Sequence, residues 1–404
     1  MGRPVVKERF VLSSNFLFCE QVIAPKCPTF LSCRPLHYAE QKKTSSKKQN
    51  QTKFALMKKL KAITLFASSG IGEYFLEEIG IDVIASNELI PRRCDLYKSL
   101  YPNSDMICGD IRENDIKSSL KKYKADIVIA SPPCQGISIA GLHRNNELRL
   151  TDERNYLVFH AIDVIKSINP EFILFENVSA FGTMNLPYKG DLLTVVEILK
   201  REFGEDFIVD SRIVDCADHG IPQFRKRNII KVYRKNHNWE WPSKEKQITV
   251  KDAIGHLPSI ESGEKSKLQW HFGRKHQLRQ VEWMKHTPTG KSAFENKDHY
   301  PKKTNGEKVK GYNTTYKRIK WDQPAPTITI RNDAMSSQAN VHPGRKKEDG
   351  TYSDARVLSP LELFILNSLP EDFCPPLSTS EILIRQVMGE CIPPLLLKKI
   401  FGKI

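Results

Sequence analysis

Two residues in this chain combine a reactive side chain with a rigid setting. Cys134 lies in Ser131-Pro132-Pro133-Cys134-Gln135-Gly136, directly after the run Asp126–Ala130. Two prolines stiffen that loop, so the thiol is presented at the end of a strand as a nucleophile rather than folded away. Glu176, in Glu176-Asn177-Val178, ends a second apolar run, Phe172–Phe175. A carboxyl group at a sheet edge beside a cavity can have a raised pKa and serve as an acid. Most of the other eight cysteines (19, 27, 33, 94, 108, 216, 374 and 391) read as small buried hydrophobes. They form no C-x-x-C pair, so neither a zinc site nor a disulfide framework is expected, and no metal is assigned.

A ligand site is expected upstream of these groups. Phe66-Ala67-Ser68-Ser69-Gly70-Ile71-Gly72 follows a strand and precedes a helical stretch, and Gly70 and Gly72 let backbone amides approach a nucleotide-like ligand. Glu88 ends the next strand, where an acid can hold ribose hydroxyls, and Asp110 repeats that placement one unit later. No P-loop is present, which removes support for ATP or GTP hydrolysis. A nicotinamide dinucleotide fits the fold but leaves Cys134 unexplained.

The elements that must position these groups alternate. Strands are predicted at Ala62–Phe66, Asp82–Ser86, Asp126–Ala130, Phe172–Phe175 and Asn228–Tyr233. Helices are predicted at Glu73–Ile79, Arg92–Leu100, Leu157–Ser167 and Leu192–Glu202. Continuous apolar strands between helices imply an α/β, doubly wound, mostly parallel sheet covered on both faces. Residues 1–56, basic and polar, read as a disordered arm or an over-extended start; 57–234 form the first domain. Residues 235–320, where lysine is the commonest residue, read as a smaller second domain. Periodicity then returns in 321–404, with a strand-like Thr327–Arg331 and helical stretches at Pro360–Leu366 and Pro393–Ile400.

Composition bounds the partners. The formal charge of +15 favours a polyanion, because lysines and arginines that release counterions from phosphates supply affinity. No apolar run approaches the roughly 18–20 residues of a bilayer span, so a membrane protein is not expected.

Pro133-Cys134-Gln135 followed some forty residues later by Glu176-Asn177-Val178 resembles the signature of the DNA cytosine-5 methyltransferases, in particular the bacterial restriction–modification type. Pro222-Gln223-Phe224-Arg225-Lys226-Arg227 resembles that family's Gln-x-Arg-x-Arg element. Pro324–Thr327 with Arg356–Glu362 resembles its late block, and Gln386–Pro393 its last motif, whose helix packs beside the first strand. The likeness covers residues 61–404. It implies the S-adenosylmethionine-dependent methyltransferase fold, with 57–234 as catalytic and cofactor-binding domain, 235–320 as target-recognition domain and 321–404 returning to the catalytic domain. It also implies Cys134 addition to carbon 6 of a flipped cytosine and Glu176 acting at ring nitrogen 3, with Arg225 and Arg227 orienting the base. Phe66, Gly70, Gly72, Glu88, Asp110 and Pro132 would bind S-adenosyl-L-methionine. Gly136–Arg154 would close over DNA, and Trp270, His271, Arg274, Lys275 and Arg279 would form a cluster in the recognition domain. The expected partners are double-stranded DNA and, functionally, a cognate restriction endonuclease, for a monomer in the bacterial cytoplasm. Four positions depart from the pattern: Ser68 and Ser69 in the glycine turn, Thr64 where an acid is common, and Glu390 where the last motif has Asn. A tRNA cytosine-5 methyltransferase of the same fold, or an inactive DNA-binding relative, are the competing readings.

Overall fold

The computed structural model describes residues 59–133 and 152–404; the expected arm at 1–56, Cys134 and most of the expected closing segment lie outside them. Nine strands are described. β1 (Leu60–Leu65), β2 (Ile81–Glu88), β3 (Asp105–Cys108), β4 (Ile127–Ala130) and β5 (Phe172–Val178) alternate with helices α1 (Pro91–Leu100), α2 (Asn114–Lys121) and α3 (Leu157–Ile168). A hairpin of β6 (Asn185–Tyr188) and β7 (Asp191–Thr194) leads into α4 (Val195–Phe203), then β8 (Phe207–Asp215) and β9 (Lys226–Arg234). The main sheet runs β3-β2-β1-β4-β5-β9-β8. Its first five strands are parallel, and β9 runs antiparallel to both neighbours. The strand order reverses between β1 and β4, and in such sheets ligands bind outside the carboxyl ends of the strands at that point.

Both faces of the sheet are covered, as the unbroken apolar strands require. Ile63, Leu65, Val128, Ile173 and Phe175 pack against α3 and α4 on one side. Ala62, Ile127, Ile129 and Leu174 pack on the other against Leu396, Leu397, Ile400 and Phe401 of α9 (Pro394–Phe401). The last helix therefore lies beside the first strand. Between them in sequence, α5 (Val250–Ile254), α6 (Leu278–Lys285), α7 (Pro360–Leu366) and α8 (Glu381–Glu390) are set in long irregular stretches. Val250, Ile254 and Trp270 share a core with Phe364, Leu383 and Ile384. Trp283, Met284, Met335, Val341 and Val357 form a separate core.

Three predicted elements differ. Glu73–Ile79 is not one helix but two 3₁₀ turns, Ile71–Glu73 and Glu77–Ile79, because amides there bond three residues back: Glu73 N–H to Gly70 O at 3.0 Å and Ile79 N–H to Leu76 O at 3.1 Å. The helix expected from Leu192 begins only at Val195. Residues 191–194 pair with β6 across a Lys189–Gly190 turn, and Thr194 then caps α4 in a capping box with Glu197. Thr327–Arg331 joins no strand ladder. Side chains hold it instead: Gln223 Oε1 accepts from Ile328 N–H (3.0 Å), and Thr327 Oγ1 donates to Phe224 O (2.7 Å). Gly389 lets α8 lie directly on it, since a Cβ there would collide with the Thr329 carbonyl.

Candidate active site

The carboxyl ends of β1, β2, β4 and β5 open onto one cleft of about 780 Å³, within the usual range for a small-molecule site. Its lining includes every described residue that the sequence nominated for catalysis or cofactor binding: Phe66, Gly70, Gly72, Glu88, Asp110, Pro132, Glu176, Arg225 and Arg227. Residues from positions 64 to 397 meet there, which the parallel crossovers and the returning C-terminal segment make possible.

Glu176 is buried at the end of β5, and Arg227 Nε on the antiparallel β9 reaches its Oε1 at 2.9 Å. Burial pushes the Glu176 carboxyl upward; the Arg227 and Arg225 guanidinium groups and the Arg227 hydrogen bond oppose this, and the net direction is up. Asn177 Nδ2 donates to Pro132 O at 2.7 Å, tying the proline loop to the Glu-Asn-Val strand. Cys134 follows Pro133 by one peptide bond and lies outside the described residues, while Pro132 and Pro133 line the cleft.

The two arginines are used differently. Arg225 is fully buried: Nη1 donates to Ile328 O (2.9 Å), and Nη2 to Gly389 O and Glu390 O (3.1 Å each). It clips β9 to the two late segments that wall the cleft. Burial pushes its pKa down to about 10. Arg227, by contrast, is spent on Glu176 and on its neighbour's carbonyl, Lys226 O.

At the other end, Glu88 accepts from Ser68 N–H and Ile90 N–H at 2.9 Å each, one on each carboxylate oxygen. A carboxylate oxygen has a second lone pair, so this geometry leaves acceptors for a diol. Gly70 has φ +73°, and a Cβ there would come 2.6 Å from the rings of Tyr97 and Tyr101, so the turn requires glycine. Asp110 is gripped by the Arg112 fork at 2.7–3.1 Å, which holds its carboxyl below the usual range. Arg112 in turn reaches Glu153 at 2.9 Å. Of the expected closing segment, Asp152, Glu153 and Arg154 are described and line the cleft.

The structure also accounts for a departure noted in the sequence. Glu390 is matched by Arg93, whose Nη2 lies 2.7 and 2.8 Å from its two oxygens, nearly three hundred residues away. No sequence pattern linked the two. Glu73, directly after Gly72, also lines the cleft and was passed over as one residue of a helical stretch. The recognition cluster divides. Trp270 and His271 are buried in the core and cannot touch a partner, Arg274 pairs with Glu381 at 3.1 Å, and Lys275 and Arg279 are exposed.

Comparison with known proteins gives a consistent set of matches. The model of the C-5 cytosine-specific DNA methylases matches residues 60–404. The Type II methyltransferase M1.HgaI of Avibacterium volantium is 53% identical over 353 residues, covering 86% of this chain and 99% of that protein. The Type II methyltransferase M1.HphI of Haemophilus parahaemolyticus is 28% identical, over 84% of each. Among solved structures, a putative DNA modification methyltransferase encoded within an E. coli prophage superposes with a TM-score of 0.61 at 20% identity, covering 85% of this chain and 99% of that one. At that identity the superposition speaks for the fold.

Proposed function

This chain belongs to the C-5 cytosine-specific DNA methylase family, and we propose that it methylates carbon 5 of a cytosine flipped out of a short duplex DNA sequence, through a covalent adduct on Cys134. Its enzyme class is C-5 cytosine DNA methyltransferase of a Type II restriction–modification system. The observation that carries the finer reading is convergence. Glu176 with its Arg227 partner, the Pro132-Pro133 step preceding Cys134, and Glu88 with the Gly70 turn all face one cleft.

The methyl donor in this reading is S-adenosyl-L-methionine, and the cleft suits it. Glu88 would take the ribose hydroxyls, the Gly70–Gly72 turn and Phe66 would border the sulfonium side, and Asp110 and Pro132 would close the adenosine end. When bound, S-adenosylmethionine supplies the electrophilic methyl that carbon 5 takes up, and the donor leaves as a neutral thioether. The protein's own groups make carbon 5 reactive. The Cys134 thiolate forms a bond to carbon 6, and the ring's π electrons shift to an enamine as Glu176 hydrogen-bonds or protonates nitrogen 3. A carboxyl pushed upward by burial suits that donation at neutral pH. After methylation the carbon-5 proton leaves, the carbon–sulfur bond breaks, and the thiolate departs with the aromatic ring restored. Arg227 holds Glu176 in place, and Arg225 holds the walls together.

The base must leave the helix to reach such a cleft, at a cost of a few kcal/mol. The basic lobe that begins near residue 235 would meet the phosphates and read the sequence. The core around Trp283, Val341 and Val357 supports extending that lobe to about residue 357, past the boundary at 320 expected from sequence. We take the enzyme to act as a monomer on double-stranded DNA in a bacterial cytoplasm, alongside an endonuclease of the same specificity. The test is methyl transfer from tritiated S-adenosylmethionine to genomic DNA and to bulk tRNA in parallel, with bisulfite sequencing. Label in DNA at one short motif is expected; label in tRNA alone would replace DNA as the substrate.

A further inference from the structure

Among the described residues seven carboxyl groups line the cleft, and six are already committed. Glu88 holds two backbone amides, and Asp110 and Glu153 hold Arg112. Asp152 holds Arg154, Glu176 holds Arg227, and Glu390 holds Arg93. Glu73 differs. Its Oε2 accepts from the Tyr97 hydroxyl at 2.7 Å, but its buried Oε1 has no hydrogen-bond partner, and no ion pair reaches it among the described residues. A buried carboxyl without a counter-charge is costly, and burial raises the Glu73 pKa to about 7. The groups facing it are neutral: the hydroxyls of Thr64 on β1, Ser86 on β2 and Tyr97 on α1, which lower its pKa without offsetting burial, and the phenol of Tyr101 just after α1; both phenols are pushed up by burial and by Glu73 itself. The Thr64 and Ser86 hydroxyls are bonded to each other at 3.1 Å, and Ser86 also donates to Tyr97. The fold thus keeps a carboxyl poised in the cleft, beside the first-strand position that here carries Thr64 instead of an acid.

A cofactor with a sulfonium centre has three arms. One is the methyl, which must face the base near Glu176; the second is the ribose, which faces Glu88; the third carries an amino-acid head with a positive ammonium. We infer that Glu73 receives that α-ammonium group. The inference rests on the proposed use of S-adenosylmethionine and adds a residue to it. Binding a cation against Glu73 should expel the proton that its buried carboxyl otherwise retains, so ligand binding and proton release are coupled at this residue.

Titration calorimetry separates the possibilities, using S-adenosylhomocysteine and its analogue without the amino group, S-adenosyl-4-thiobutyrate. The wild-type protein is expected to bind the amino-containing ligand at least tenfold more tightly. At pH 6.0, in buffers of different ionisation enthalpy, it should release close to one proton with that ligand and none with the analogue. Glu73→Gln keeps the Tyr97 contact and should lose both the discrimination and the proton release. Equal wild-type affinity for the two ligands would overturn the inference, as would discrimination or proton release that survives in Glu73→Gln. Failure of the wild-type protein to bind S-adenosylhomocysteine at all would instead overturn the cofactor reading beneath it.

Discussion

Replacing Arg225 by methionine distinguishes a residue that builds the cleft from one that acts on substrate. The guanidinium satisfies three carbonyls, on Ile328, Gly389 and Glu390, from a fully buried position. Stranding each acceptor costs about 1–3 kcal/mol, or roughly 6 kcal/mol for the three. Against this, burying the charge lowers the arginine pKa to about 10, a penalty of about 3 kcal/mol that the variant escapes. The net loss is about 3 kcal/mol, a fall in Tm of roughly 4 °C for a folded unit of this size. Because Gly389 and Glu390 line the cleft proposed to hold the cofactor, affinity for S-adenosylhomocysteine should fall about tenfold or more. Single-turnover methyl transfer at saturating donor should fall much less. Chemical denaturation, calorimetry and rapid-quench kinetics read the three quantities. A variant with wild-type stability and donor affinity but a hundredfold slower transfer would refute this reasoning and make Arg225 a catalytic residue.

Glu176→Gln should slow single-turnover transfer by about 10²–10⁴-fold with donor affinity unchanged, and near-normal turnover would remove its role as acid. Glu88→Ala should weaken donor binding at least tenfold by calorimetry, since it deletes the diol acceptor and strands the Ser68 and Ile90 amides. Unchanged affinity would count against the ribose assignment. Acid lability should trace in part to His342, whose Nδ1 accepts from Gly344 N–H at 3.1 Å and whose pKa burial lowers to about 4. The unfolded chain binds this proton at higher pH than the folded one, so stability is full above about pH 6.5 and is lost as pH falls. Urea titrations should show a loss of roughly 2 kcal/mol between pH 7 and pH 5 that His342→Asn removes. An identical loss in the variant would exonerate His342.

Much of this arrangement was legible because strand-ending motifs and parallel topology are linked. Once Asp82–Ser86, Asp126–Ala130 and Phe172–Phe175 read as buried parallel strands, the residues after them had to emerge at one edge, and Glu88, Pro132 and Glu176 do. Parts that depend on long-range pairing left no local trace. Arg93 and Glu390 answer one another across the whole fold, and Arg225, expected to orient the base, is instead taken up by three backbone carbonyls that no local pattern announces. Thr327–Arg331 has the composition of a strand, yet Gln223 and the Phe224 carbonyl satisfy its backbone and side chains. Trp270 and His271 looked like recognition residues in a basic stretch. The indole donates to Pro375 O, and the imidazole is held by Ser266, so both serve packing.

Cys134 is the residue on which the proposed chemistry turns, and covalent trapping tests it most directly. Duplex DNA carrying 5-fluorocytosine at the methylated position has no carbon-5 proton to lose, so the adduct formed after methyl transfer should persist. Incubation with S-adenosylmethionine, denaturing electrophoresis and peptide mass spectrometry should find the fluorocytosine ring linked to Cys134, with no adduct in Cys134→Ser. An adduct on another residue, or methylation of ordinary DNA by Cys134→Ser at close to the wild-type rate, would contradict the account.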